Sequence, residues 1–69
     1  RMVKVPDFIG MTRQQASDMA GTLGLYILVS GNQDIAPNVI VTAQSVPKDT
    51  EVPMGTTITL AFTDTTVRD

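Results

Sequence analysis

Asp49 and Glu51 stand two apart beside Lys48, the spacing at which two carboxylates could divide acid and base work between them. That work needs burial to tune the groups, and Pro47, Lys48 and Pro53 mark the stretch as a solvated turn instead. Asp7 follows Pro6, and its expected role is a local bond to a backbone amide that shapes the turn into the next element. The chain contains no Cys and no His, which excludes thiolate nucleophiles, imidazole bases, disulfides and the usual zinc ligands. Glycines at positions 10, 21, 24, 31 and 55 never assemble into a phosphate-binding pattern. No catalytic residue, metal or cofactor is therefore expected.

What remains is surface recognition. Phe8, Tyr26 and Phe62 are the only aromatic residues, and Tyr26 alternates away from Leu25 and Ile27, so its ring and hydroxyl face outward. Thr57 and Thr59 fall on the polar side of the strand near the C-terminus and offer hydroxyls. Tyr26, Thr57 and Thr59 are the candidate ligand-binding residues, although an exposed strand favours Thr for its own sake. Methionines at 2, 11, 19 and 54 are read as filling the core.

The elements that must position these residues follow from periodicity. Val3 to Val5 is extended and closed by Pro6. Thr12 with Gln15 three residues on is a capping box, and Ala16, Met19, Ala20 and Leu23 then recur at helical spacing until Gly24 stops the helix. Leu25 to Ser30, Val39 to Ser45 and Thr57 to Thr63 read as strands, the last with Ile58, Leu60 and Phe62 on one face. Leu23 and Leu60 are expected to be nearly fully buried. Pro47, Lys48, Asp49, Pro53 and Gly55 imply a long connection before the last strand. The expected fold is α+β, one helix packed on a mainly antiparallel three-stranded sheet with a short N-terminal strand, in the order β-α-β-β-β.

At 69 residues and 7.4 kDa the chain forms a single domain with a thin core, expected to span about 3–63, and a polar tail at 64–69 that should fray. Five Lys and Arg against seven Asp and Glu give a net charge of −2, which argues against nucleic acid or an anionic membrane as partner. No apolar run is long enough for a membrane span or a signal peptide, so this segment should not insert in a membrane. A first residue of Arg fits a piece of a longer protein, which would carry any anchor.

Val5-Pro6-Asp7-Phe8-Ile9-Gly10-Met11-Thr12, Ala16, Leu23-Gly24-Leu25, Val41-Thr42-Ala43-Gln44-Ser45, Val52, Gly55 and Thr57-Ile58-Thr59-Leu60 occur in an order and spacing that resembles the PASTA domain. The motif positions have physical roles: Pro6 and Gly10 shape the approach to the helix, Ala16 lets it come close to the sheet, and Gly24 ends it. One turn departs from the family pattern, with Pro47 displaced by one residue and Asp49 where Gly is usual. Asp tolerates left-handed backbone better than most residues.

The resemblance implies a non-catalytic, extracytoplasmic cell-wall module at the cell surface, part of a membrane-anchored bacterial parent, with a penicillin-binding transpeptidase favoured. It implies weak recognition of a peptidoglycan fragment or a β-lactam-like ligand. The alternatives are a docking or spacer module that packs on its own transpeptidase domain or a cell-wall synthesis partner, and part of the extracellular sensor of a bacterial serine/threonine kinase.

Overall fold

A computed structural model describes residues 1–66. The elements are β1 (Met2–Lys4), α1 (Arg13–Leu23), β2 (Tyr26–Gly31), β3 (Val39–Gln44), β4 (Glu51–Pro53) and β5 (Thr57–Asp64). The α+β class is as expected, but the sheet is not the mainly antiparallel one that the order of strands suggested. Two sheets form, a ribbon of β1 with β4 and a mixed sheet in the order β2-β5-β3. β5 lies between a parallel β2 and an antiparallel β3.

The physical reason is burial. Ile58, Leu60 and Phe62 are at most 3% exposed, the most continuous apolar face in the chain, and the strand that carries them takes the centre. Placing β5 between β2 and β3 removes the hairpin that adjacency in sequence would favour. The segment after Gly31 crosses the end of the sheet so that β3 reaches the far side of β5. β4 was not anticipated because its three residues, Glu51–Pro53, are too few to show an alternation.

The helix forms as its capping residues dictate. Thr12 Oγ1 accepts from the Gln15 amide (3.3 Å), and Gln15 Oε1 accepts from the Thr12 amide (3.0 Å). Gly24 closes α1 in left-handed geometry at φ 76°, where a Cβ would come within 2.9 Å of the Met54 side chain. Ala16 and Ala20 face the core, with exposures of 0% and 2%. These small residues bring the helix close to the sheet.

Two residues depart from the expected helical face. Leu23 is half-buried rather than nearly fully buried, because it sits in the last turn and packs on the core from its margin. Met19 is exposed, as are Met2 and Met54 outside the helix, so none of the three fills the core, whereas Met11 packs against it. The core itself is Val5, Phe8, Ala16, Ala20, Leu25, Val39, Val41, Ile58, Leu60 and Phe62. A β-bulge between Val41 and Ala43 ends the burial along β3, leaving Ala43 exposed.

Residues 64–66 are tied down. Asn38 Nδ2 donates to Asp64 Oδ1 (2.6 Å) and to Thr66 Oγ1, and the Asn38 carbonyl accepts from the Thr65 amide (2.8 Å) and hydroxyl (2.6 Å). The remainder of the tail, 67–69, lies outside the described residues.

Candidate functional site

The mixed sheet has a buried face against α1 and an open face. Alternation along β2 puts Ile27 and Val29 toward the helix side and Tyr26, Leu28 and Ser30 outward. In the parallel register Tyr26 is opposite Thr57, Leu28 opposite Thr59 and Ser30 opposite Ala61. The three candidate ligand-binding residues therefore share one surface. Tyr26 is 65% exposed and Thr57 is exposed beside it, while Thr59 is half-buried one step along the same face. On the other side of β5, the hydroxyls of Thr42 and Thr63 are 2.9 Å apart and bond each other.

Leu28 is the residue that sequence reasoning missed on this face. At 58% exposure it lies next to Tyr26 on a surface that otherwise carries hydroxyls, small residues and, across β5, the half-buried Ile40. The signal was available, since the alternation that turns Tyr26 outward turns Leu28 outward as well. The arrangement offers a ring, an apolar side chain and several hydroxyls on a flat surface. It can stack and hydrogen-bond, but it holds no pair of groups set to move a proton.

The motif residues converge elsewhere. Gln44, at the end of β3, accepts from the Phe8 amide through Oε1 (2.9 Å) and donates through Nε2 to the Pro6 carbonyl (3.1 Å) and the Val46 carbonyl (2.7 Å). One side chain thus ties the approach to the helix to the turn after β3. Asp7 Oδ1 accepts from the Ile9 amide (3.1 Å), the local bond that its place after Pro6 suggests. The Gly10 amide donates to the Val41 carbonyl (2.9 Å), and the Gly55 amide to the Gly24 carbonyl (2.8 Å). Asp49 and Glu51 are both exposed, Asp49 in the turn and Glu51 in β4.

A PASTA domain family model matches residues 3–64. The chain belongs to the PASTA domain family. No curated protein and no solved structure matches it significantly. PASTA domains are non-catalytic, extracellular modules of membrane-anchored penicillin-binding proteins and serine/threonine kinases, and they bind peptidoglycan-related ligands. Among the described residues no helix is long and apolar enough to cross a membrane. In this PASTA domain the Gly usual after the third strand is replaced by Asp49, which adopts the left-handed backbone at φ 68°. The turn keeps its geometry with a different residue.

Proposed function

We propose that this PASTA domain is a non-catalytic cell-wall module of a penicillin-binding protein that recognises peptidoglycan fragments weakly through the open face of β2 and β5. The observation that supports it is the register of Tyr26 with Thr57, which sets an exposed ring beside hydroxyls, a surface suited to stacking on a sugar and bonding its substituents. The face is flat, so little area is desolvated and the affinity is low, with a dissociation constant on the order of 0.1 to 1 mM, or about 4 to 5.5 kcal/mol. Titration of soluble muropeptide into labelled protein tests this. Amide shifts at Tyr26, Thr57 and Thr59 are expected, and Tyr26→Ala should abolish them. Silence on this face at millimolar ligand overturns the reading.

Leu28 favours a second reading, in which the same face packs on the parent's transpeptidase domain or another cell-wall synthesis protein. Protection of the Leu28 amide only when a transpeptidase domain is present would favour it. The kinase sensor and β-lactam-like ligands rest on the family's range alone.

A further inference from the structure

A second surface lies on the opposite side of β2. A groove of about 380 Å³ runs between α1 and β2, lined by Arg13, Gln14, Ser17, Ile27, Val29 and Ile35. Its floor is apolar, and Ile35, on the loop after β2, is 76% exposed at its rim. Arg13 is the one charged residue of the lining. Its guanidinium donates to the Gln33 carbonyl (3.0 Å), a neutral partner that holds the charge in place without cancelling it. The first turn of α1 carries no acidic residue to offset that charge. The groove is therefore complementary to an anion at the Arg13 end and to apolar side chains along its β2 wall, where Ile27, Val29 and Ile35 lie, while Gln14 and Ser17 make the α1 wall polar.

β2 is also the outer strand of its sheet. Tyr26 and Asn32 donate their amides inward, to the carbonyls of Thr56 (3.1 Å) and Phe62 (3.0 Å). Backbone groups alternate along a strand, so Ile27 and Val29 turn theirs to the free edge, above the groove that their side chains floor. From Leu25 to Gly31 this edge has no Pro and no charged residue, the features that commonly prevent an edge strand from pairing with another chain.

We infer that the β2 edge takes the carboxy-terminal segment of a protein chain as an added strand, with its terminal carboxylate on Arg13. The added strand bonds the free groups of Ile27 and Val29 and runs parallel to β2, since Arg13 and Gln33 mark the end of the groove toward which β2 runs. Every second side chain enters the groove against Ile27, Val29 and Ile35. That geometry requires a chain of L-residues, because alternating chirality would break the pleat and turn neighbouring side chains to one face. The occupant is thus a protein segment and not the mixed L,D peptide of a cell-wall fragment, and the site is distinct from the open face that bears Tyr26.

Four-residue acetylated peptides of alternating Ala and Val test the inference by chemical-shift titration. The all-L peptide with a free carboxylate should shift the Ile27 and Val29 amides and leave Tyr26, Thr57 and Thr59 unmoved. Its C-terminal amide, and the free acid added to Arg13→Gln, should each bind about tenfold more weakly. Arg13 is partly exposed at the helix start, so Arg13→Gln should fold normally, and Arg13→Lys should recover part of the loss. Equal binding of acid and amide, equal binding of an L,D-alternating acid, or shifts confined to the Tyr26 face would overturn it. Muropeptide binding at Tyr26 is scored on different residues, so either site can fail without the other.

Discussion

The two sheets of this domain are held by different forces. In the β2-β5-β3 sheet, Val39, Val41, Ile58, Leu60 and Phe62 are buried, and the strands are fixed by the apolar surface they remove from water. In the β1-β4 ribbon no residue is buried, with Val3 and Val52 opposite each other and only half-covered. The ribbon is wired through polar groups instead. The Val5 amide donates to the Thr50 carbonyl (2.8 Å), the Asp49 amide to the Val5 carbonyl (2.7 Å), and the Met54 amide to the Arg1 carbonyl (2.8 Å). Damage to the first sheet should unfold the domain, whereas damage to the second should loosen it locally.

Leu60→Ala tests that contrast where it is largest. Leu60 is fully buried in the central strand, and its truncation should cost about 2 to 5 kcal/mol. For a domain this small that approaches the total stability, so calorimetry should show loss of the cooperative transition. Val52→Ala in the ribbon removes a half-covered side chain and should leave the transition in place, destabilised by about 1 kcal/mol or less. Comparable melting of the two variants would remove the distinction between the sheets.

Gly31→Ala should come next. Gly31 ends β2 at φ 78°, and a Cβ there would lie 2.6 Å from the Phe62 carbonyl oxygen, a backbone atom of the central strand. Strain and displacement together should cost about 1 to 3 kcal/mol, readable as a lower urea midpoint. Gln44→Ala follows, at the end of β3 where the mixed sheet leads into the segments that join the ribbon. It deprives the Phe8 amide and the Pro6 and Val46 carbonyls of a partly buried partner, a loss of about 1 to 3 kcal/mol. Its signature should be faster hydrogen exchange at Val5 and Asp49 while Leu60 stays protected. Uniform acceleration would place Gln44 in the global fold instead.

What the sequence made legible follows the same division. The capping box of Thr12 and Gln15, the stop at Gly24 and the alternation of Ile58, Leu60 and Phe62 are local patterns with known periods, and the structure contains each. Parallel pairing of β2 with β5 and the existence of β4 are not local: the first depends on which strand is most buried, the second on three residues held by backbone bonds. On the open face, alternation located Tyr26 but attention to hydroxyls passed over Leu28. The groove at Arg13 was invisible, because Ile27, Val29 and Arg13 meet only once α1 folds back along β2.

The smallest effects belong to Thr12, which caps α1, and to Asp49, in the turn that leads to β4. Thr12→Ala should cost about 1 kcal/mol, seen as a lower melting temperature. Asp49→Gly should do much less, because two terms oppose each other. Asp49 holds φ at 68°, a conformation that costs a residue with Cβ roughly 1 to 2 kcal/mol and glycine almost nothing. Asp is among the residues best able to reduce that cost, so the gain on substitution lies at the lower end. Glycine in turn loses about 0.4 to 1 kcal/mol through the greater freedom of the unfolded chain. The bond from the Asp49 amide to the Val5 carbonyl is a backbone bond and survives the change. The urea midpoint of Asp49→Gly should therefore stay within about 0.5 kcal/mol of the parent, while Asp49→Val, which meets the same backbone strain with a β-branched side chain, should lower it clearly. A large gain with glycine would mean that the Asp49 turn carries stored strain and that the ribbon is held against it.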